Sequence, residues 1–509
     1  MIVQTDKGKI EGTTRDGVTV FKGVPYAAPP VAELRWKPPK PAHPWSGVRK
    51  ADSFSKACIQ PVFASMDGME PVGEQSEDCL YLNVWTPGGG EAHKPVMVWI
   101  HGGAFQIGSG TARAYDGTPL ARKGAVVVTL NYRLGHLGFF AHPALEAEAP
   151  NGPVNFGLLD QIAALQWVQR NIAAFGGDPG NVTIFGQSAG AMSVLALFCS
   201  PLASNLFHKG IAQSPYAIPE HSRDTAIERG ASVASLLLKV RKHPTAADLR
   251  RIKPEMFAIH EIVNSDGSKL AIPSLAPVPV IGDPVLRMRI RDTFDMGKQL
   301  ALPLILGSTS GEQSILEAFK IPPQSVIEMI EASPGGPEAI AYLKSLYQHD
   351  PELDIPDDLN NPQRFGGLVL RDCLFTMQVR WLAEKHSERA DARRYYFSYE
   401  AEALGAMPHG VPHGGELVFP FGTGGTVLGT ERFTKADREM VAKVSNYWFT
   451  FAQTGTPEGP PAWQRHLNPL TDRILKLGTD IANDGGFRIT RLQTYAAMYP
   501  LLFPVITPR

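Results

Sequence analysis

Ser188 is the residue whose surroundings most directly suggest chemistry, because it stands at the centre of the segment GQSAG (186–190). The apolar residues before this segment predict a strand and those after it predict a helix, which is the setting of a nucleophile elbow. Flanking glycines suit such a sharp turn, where a side chain would collide with neighbouring backbone. A chain with 49 glycines contains GxSxG by chance fairly often, so the strand and the helix carry the prediction of a nucleophilic serine.

A serine that attacks a carbonyl group needs N–H donors directed at the oxygen that becomes negative. The apolar strand VMVWI is followed by the segment HGGAF (101–105), a loop of the type that supplies such donors. We expect the N–H groups of Gly103, Ala104 and Ala189 to form this oxyanion hole, since glycines let the backbone approach a substrate closely. His101 is expected to support the loop. The alternative interpretation is an ordinary glycine-rich loop after a strand.

The acid and the base that complete such a site follow the serine along the chain, in that order. Glu312 lies just beyond the apolar run LPLILG (302–307), at the strand end where ligands collect in open α/β sheets. Other carboxylates in the intervening chain fit the spacing as well. The segment HGVPHGGELVFPFG then offers two histidines, His409 and His413, and the local sequence does not distinguish them because glycine follows each.

Short apolar runs predict the buried strands that would position these residues: PVMVWI (95–100), AVVVTLNY (125–132), NVTIFG (181–186) and LPLILG (302–307). Between the second and third runs, the apolar residues of GLLDQIAALQWVQRNIAAFGGDP recur every three and four positions, which predicts an amphipathic helix. This pattern predicts an α/β fold, in which a central, mostly parallel sheet is flanked by helices on both faces. We expect a single domain over residues 1–509, with loop and helical insertions.

Composition excludes several other classes of function. The 509 residues hold 49 Lys and Arg against 50 Asp and Glu, a net charge of −1 that argues against nucleic acid as a partner. No apolar run approaches the ~20 residues that would span a bilayer. The chain as written has no signal peptide, which predicts a cytoplasmic protein, or a periplasmic or secreted one if a leader was removed.

The four cysteines form no CxxC pair and no Cys/His spacing suited to zinc, so we expect no metal site. Cys58 and Cys79 are separated by 21 positions. In an oxidising compartment they would close one disulfide, and in a reducing compartment they would remain two thiols.

Taken together, the chain resembles the type-B carboxylesterase family, the α/β-hydrolases that include cholinesterases, and it is most similar in pattern to the bacterial para-nitrobenzyl esterase type. The resemblance covers almost the full length. Its segments are FKGVPYAAPP, LRWKPP, SEDCLYLNVWTP, WIHGGAF, NYRLGHLGF, LLDQIAALQWVQRNIAAFGGDP, FGQSAGA and HGGELVFPFG. Several of these are long and specific, so the resemblance implies an α/β-hydrolase fold.

The resemblance also assigns individual residues. It selects His413 over His409 as the base and places the acid at Glu312. It puts Ser214 near the histidine and Gln187 beside the nucleophile, both as supporting residues behind the groups that react. It further implies one disulfide and two structural ion pairs, namely Cys58–Cys79, Arg35–Glu77 and Arg133–Asp160.

The chain departs from the family at positions that bear on the substrate. Gln187 stands where many members carry glutamate, Ala104 replaces a glycine, and the Glu312 segment lacks an aspartate that many members have. The loop between Cys58 and Cys79 has no tryptophan to hold a quaternary ammonium group, and Phe63 is its only aromatic residue. The missing tryptophan and the loss of the carboxylate at Gln187 argue against choline esters as the preferred substrate. Pro273 and Leu275 fall where larger side chains narrow the acyl pocket of some cholinesterases, so a bulkier acyl group would fit.

The sequence therefore predicts a serine carboxylesterase that hydrolyses small-molecule carboxylic esters through a covalent acyl-enzyme, with Ser188, His413 and Glu312 as its triad. No cofactor is expected. Two alternatives are a non-catalytic adhesion or binding protein on the same fold and a lipase that acts at lipid interfaces.

Overall fold

The structure is built around a sheet of eleven strands, with smaller sheets at its margins. In this computed structural model the described residues are all except 62–71, 89–91, 218–219, 239–243, 259–260, 264–268, 272–277, 319–321, 351–352, 354–356, 406, 408, 426–430, 468–471 and 507–509. The described strands are β1 (Ile2–Gln4), β2 (Lys9–Glu11), β3 (Thr13–Arg15), β4 (Val18–Pro25), β5 (Val48–Lys50), β6 (Ala57–Cys58), β7 (Gln75–Ser76), β8 (Tyr81–Pro87), β9 (Lys94–Ile100), β10 (Val126–Leu130), β11 (Gly177–Gln187), β12 (Lys209–Gln213), β13 (His221–Ser222), β14 (Glu261–Val263), β15 (Lys269–Ala271), β16 (Val280–Ile281), β17 (Leu304–Thr309), β18 (Ala392–Phe397), β19 (Arg473–Leu477) and β20 (Ile481–Gly485).

The order of strands across the large sheet is β20-β19-β18-β17-β12-β11-β9-β10-β8-β4-β3. The seven strands from β19 to β10 pair in parallel, and the pairs at both edges are antiparallel. The predicted mostly parallel sheet is confirmed, and the four strands expected from the sequence correspond to β9, β10, β11 and β17.

Helices cover both faces of this sheet. The described α-helices are α1 (Thr118–Lys123), α2 (Gly135–Gly138), α3 (Pro143–Glu148), α4 (Phe156–Asn171), α5 (Ala189–Cys199), α6 (Arg223–Leu238), α7 (Ala246–Arg251), α8 (Ile290–Asp295), α9 (Ser314–Ala318), α10 (Gln324–Glu331), α11 (Gly336–Ser345), α12 (Asp357–Asn360), α13 (Pro362–Leu370), α14 (Met377–Ser387), α15 (Val418–Phe421), α16 (Lys435–Thr454) and α17 (Ile489–Ile506). A π-helical turn, Arg371–Thr376, joins α13 to α14. Short 3₁₀ turns occupy Ala32–Leu34, Arg113–Tyr115, Ile172–Phe175, Pro201–Ala203, Pro254–Phe257 and Glu402–Leu404.

The alternation of side chains along β9 shows how the two faces of the sheet are filled. Val96 and Val98 belong to a core cluster that includes residues of α4 and α5. Met97 and Trp99 point the other way, into a cluster that includes residues of α1 and α16. Because successive side chains of a strand alternate between faces, a strand buried on both sides is apolar throughout. That requirement explains why β9 reads as one continuous apolar run.

The predicted amphipathic helix is confirmed as α4, which begins at Phe156 and ends at Asn171. One acidic residue of this helix, Asp160, is also fully buried. That charge is paired with Arg133, whose Nη2 lies 2.7 Å from Oδ1. Burial of an unpaired carboxylate would be costly, so the ion pair with Arg133 allows Asp160 to be buried.

A disulfide and an ion pair link parts of the chain between residues 35 and 79. Cys58 and Cys79 are joined by a disulfide, and Arg35 Nε lies 2.6 Å from Glu77 Oε1. Both ion pairs implied by the family resemblance are therefore present. No helix among the described residues is long and apolar enough to cross a membrane.

Candidate active site

Ser188 occupies the turn between β11 and α5 and has φ 57° and ψ −124°. A positive φ is uncommon for a residue with a Cβ, and it marks a strained position that the surroundings must hold. The N–H of Ser188 donates to the carbonyl oxygen of Gln213, 2.9 Å away on β12. Gly190 must be glycine, because a Cβ there would lie 2.0 Å from the carbonyl oxygen of Ile100. We call residues 186–190 the elbow.

The HGG loop (residues 101–105) follows β9 and packs directly on the elbow. A Cβ on Gly102 would lie 2.6 Å from the carbonyl oxygen of Gln187 and 3.1 Å from Cβ of Ser188. The next three residues, 103–105, all have positive φ values of 106°, 53° and 59°. This left-handed run turns the backbone sharply beside the serine and requires little side-chain volume at Gly102.

Three backbone N–H groups near Ser188 are available as donors. In the described part of the chain, no hydrogen bond has the N–H of Gly103 or Ala104 as its donor. Ala189 is the first residue of α5, and the N–H groups of a first helical turn have no acceptor within the helix. These are the three groups that the sequence suggested for an oxyanion hole.

His101 supports the HGG loop and carries no charge. Its Nδ1 donates to the carbonyl oxygen of Gly102 over 2.8 Å, and its ring stacks on Tyr132 with centroids 4.5 Å apart. Burial lowers the pKa of the imidazole to about 4, because desolvation disfavours the protonated form.

Glu312 lies three residues beyond the end of β17 and is fully buried. Its Oε1 accepts a hydrogen bond from the N–H of Thr309 over 2.7 Å. Its Oε2 lies 2.5 Å from Nδ1 of His413. The structure therefore brings together the acid and the histidine that the family resemblance selected, across 101 residues of chain.

Backbone hydrogen bonds join the loops that carry this pair. The N–H of Gly311 donates to the carbonyl oxygen of Val411 over 2.8 Å, and the N–H of His413 donates to Oγ of Ser314 over 2.8 Å. His409, the other candidate, is exposed, and its carbonyl oxygen accepts from the side chain of Gln313 over 2.7 Å. His409 thus contributes a backbone carbonyl oxygen to this region, whereas His413 contacts a carboxylate through its ring.

The second ring nitrogen of His413 faces the elbow. Its Nε2 lies 3.0 Å from Nε2 of Gln187, the residue that precedes Ser188. Among the hydrogen bonds of the described residues, none joins the Ser188 hydroxyl to the imidazole ring. Ser214 follows β12, and its buried hydroxyl has no hydrogen-bond partner among the described residues; its placement near the histidine stays a prediction.

Glu416 is a second buried carboxyl group at this site, and sequence reasoning missed it. Burial, together with the nearby charge of Glu312, raises its pKa to about 7. Its Oε1 accepts from Nε2 of Gln213 over 3.2 Å, and the Gln213 oxygen accepts from Nε1 of Trp448 over 3.1 Å. Glu416 lies within the HGGEL segment, so its closeness to the histidine in sequence was the available signal.

Phe375 is another neighbour of the histidine that the sequence did not indicate. It lies in the π-helical turn, and its ring centroid is 5.2 Å from that of His413. The same ring lies 5.9 Å from the ring of Tyr216, which follows β12. The imidazole is therefore held by a carboxylate at one nitrogen and by an aromatic ring against its side.

Phe63, Pro273 and Leu275, which bore on the substrate, lie outside the described residues. Within the described residues, no group of three or more His, Cys, Asp or Glu side chains is placed to hold a metal ion.

Comparisons with known proteins identify the family of this chain. Residues 1–494 match the model of the carboxylesterase family. The chain is 35% identical over 479 residues to the fumonisin B1 esterase of Sphingopyxis macrogoltabida, covering 90% of this chain and 83% of that protein. It is 36% identical over 473 residues to the para-nitrobenzyl esterase of Bacillus subtilis (strain 168), covering 90% of each.

Solved structures give the same result for the fold. A structure of PNB esterase superposes with a TM-score of 0.77 at 32% sequence identity and covers 96% of this chain and 99% of its own. A second structure of PNB esterase superposes with a TM-score of 0.79 at the same identity and coverage. The chain has the α/β-hydrolase fold, belongs to the carboxylesterase family and is a carboxylic-ester hydrolase.

Proposed function

We propose that this carboxylic-ester hydrolase works through a covalent acyl-enzyme, with Ser188 as nucleophile, His413 as general base and acid, and Glu312 as the group that orients the imidazole. The contact of 2.5 Å between Glu312 Oε2 and His413 Nδ1 carries this proposal. It leaves Nε2 as the nitrogen that can take a proton, and that nitrogen faces the elbow.

Acylation begins when Ser188 Oγ attacks the carbonyl carbon of the ester and its proton passes to Nε2 of His413. The carbonyl oxygen becomes negative and accepts hydrogen bonds from the N–H groups of Gly103, Ala104 and Ala189. Collapse of this intermediate breaks the bond to the alcohol oxygen, which takes the proton from His413. The acid part of the ester remains bonded to Ser188.

Deacylation repeats the sequence with water as the nucleophile. His413 takes a proton from water, the hydroxide oxygen attacks the acyl carbon, and the carboxylic acid departs as the proton returns to Ser188 Oγ. Glu312 stabilises the imidazolium that forms in each half of the reaction. These steps use groups of this chain and water, and they require no cofactor.

We further propose that the substrates are small-molecule carboxylic esters, as the names of the two relatives indicate for those proteins. The separate possibility of a lipase predicts that the rate on tributyrin rises sharply above its solubility limit. The rate of a carboxylesterase would instead depend on the concentration of dissolved tributyrin and would show no rise above the solubility limit.

The mechanism is tested by single substitutions assayed on para-nitrophenyl esters. Ser188→Ala and His413→Ala should each lower kcat by at least ~10⁴-fold, because members of such a triad act as a unit. Ser200→Ala and His409→Ala are the controls, and each should stay within about threefold of the wild type. Ser200 is a buried serine next to the far end of α5, and His409 lies in the same loop as His413.

Covalent labelling with a fluorophosphonate probe gives a second readout. The wild type should react at Ser188, and Ser188→Ala should not react at all. Turnover above a few per cent in Ser188→Ala would disprove the assignment of the nucleophile. Failure of the folded wild type to label would instead favour a non-catalytic binding protein.

A further inference from the structure

The side chain of Gln187 lies between the two loops that meet at the elbow. Its Nε2 is 3.0 Å from Nε2 of His413. A Cβ on Gly102, in the HGG loop, would lie 3.1 Å from Gln187 Oε1, and a Cβ on Gly414 would lie 3.5 Å from Gln187 Nε2. Glycines on both sides thus leave room for the amide to reach the imidazole.

The chemistry of the contact fixes its direction. Nδ1 of His413 carries the proton that it shares with Glu312, so Nε2 holds a lone pair and can only accept. The Gln187 amide is therefore the donor. In the reaction described above, the hydroxyl of Ser188 must give its proton to this same lone pair. One in-plane lone pair accepts one well-aligned hydrogen bond at a time.

We propose that Gln187 is a positioning residue that competes with Ser188 for Nε2 of His413, so that breaking the amide–imidazole bond is part of acylation. This inference rests on the proposed function, because it assumes that His413 is the base for Ser188. It assigns the glutamine of the elbow a defined contribution to the rate, separate from that of the serine it precedes.

Two measurable consequences follow. A hydrogen bond of ordinary net strength, broken during acylation, slows that step by about 2- to 10-fold. The donated bond also favours the neutral ring, so its loss makes the ring easier to protonate and moves the acid limb of the pH–rate profile upward. Two carboxyl groups act on the ring from the described part of the chain, Glu312 by contact and Glu416 through space, and both are unchanged by substitution at Gln187.

The experiment compares Gln187→Met, which keeps the length of the side chain but cannot donate, with Gln187→Glu, which keeps the shape and adds a negative charge. The second-order rate of fluorophosphonate labelling is measured from pH 5 to pH 9 for each variant. At pH 9, Gln187→Met should label about 2- to 10-fold faster than the wild type. The midpoint of the acid limb should move to higher pH by roughly half a unit in Gln187→Met. It should move further in Gln187→Glu, because the new carboxylate stabilises the imidazolium.

Gln299→Met is the matched control, because Gln299 Nε2 lies 3.2 Å from Nδ1 of His386, a buried histidine outside the site. This variant should keep the wild-type labelling rate and acid limb. The proposal is overturned if Gln187→Met labels within twofold of the wild type at pH 9 with an unmoved limb, or if its rate falls. Neither result would affect the nucleophile assignment, which rests on the loss of labelling in Ser188→Ala.

Discussion

The buried carboxyl group of Glu416 makes the stability of the folded protein depend on pH. Its ordinary pKa of 4.5 is raised to about 7 in the folded protein. Between these values the folded chain binds more protons than the unfolded chain, so the free energy of unfolding decreases as pH rises. The destabilisation that results from ionising buried Glu416 is therefore complete above about pH 7 and absent below about pH 4.5.

Glu416→Gln should remove this destabilisation, because an amide keeps the shape of the carboxyl group and never ionises. We expect the variant to melt roughly 2 to 3 °C above the wild type at pH 8.5, and the difference to shrink to zero as the pH falls toward 4.5. Differential scanning calorimetry across this range checks the prediction. Glu255→Gln, at an exposed position, is the control for the loss of one charge, and an equal gain there would contradict our explanation.

The chemistry of individual residues could be predicted only where local sequence carries it. Ser188 was indicated by the strand, the glycines and the helix around it, all within a few positions. The contact between Gln187 and His413 joins residues 226 positions apart, and no local pattern records it. Glu416 was missed for a related reason, since burial rather than residue type gives a carboxyl group its unusual pKa.

At the scale of elements, the site depends on how closely α5 approaches β9. Gly190 in the first turn of α5 leaves no room for a side chain against the backbone of Ile100. One of these elements carries Ser188 at its start, and the other leads into the HGG loop. Any increase in their separation would therefore move Ser188 away from the N–H groups proposed to stabilise the oxyanion.

Gly190→Ala should destabilise the protein by more than about 3 kcal/mol, because the clash is with backbone that cannot rotate away. Soluble yield, melting temperature and esterase activity should all fall. The control is Gly478→Ala, whose new Cβ would approach only the flexible hydroxyl of Ser398 at 3.0 Å and the carbonyl oxygen of Asp480 at 3.8 Å. A Gly190→Ala protein with the melting temperature of the wild type would contradict the packing argument.

Sequence patterns predicted several of the buried elements of the sheet, but they gave no sign of the π-helical turn. The apolar runs of β9, β10, β11 and β17, and the stripe of α4, follow directly from burial on one or two faces. The π-helical turn between α13 and α14 gives no such signal, because LRDCLFTMQV is as compatible with an uninterrupted α-helix. Such turns often occur at functional sites, and this one places Phe375 against His413.

At the scale of the whole molecule, we propose that the chain is one domain. Neighbouring positions in the large sheet are filled from distant parts of the sequence, so that β12, β17 and β18 lie side by side. Buried ion pairs add further links: Arg491 on α17 contacts Asp372 of the π-helical turn at 3.0 Å and Asp350 at 2.6 Å. Contacts of this kind link distant parts of the described chain, and they support the proposal of one domain.

Unfolding in urea should therefore show a single transition. Tryptophan fluorescence, far-ultraviolet circular dichroism and residual esterase activity should give coincident midpoints, as expected for one cooperative unit. Midpoints that differ between the two spectroscopic probes would indicate at least two units and would contradict the proposal. Loss of activity alone at lower urea would report local opening of the site and leave the single-domain proposal standing.

The distance along the chain between Gln187 and His413 has a consequence for biosynthesis. The two residues are 226 positions apart, and ribosomes add ~5–20 residues per second. The serine therefore leaves the ribosome roughly 10 to 45 s before the histidine. Throughout that interval the nascent polypeptide lacks the base that we propose, so we expect it to hydrolyse no ester until His413 has been added.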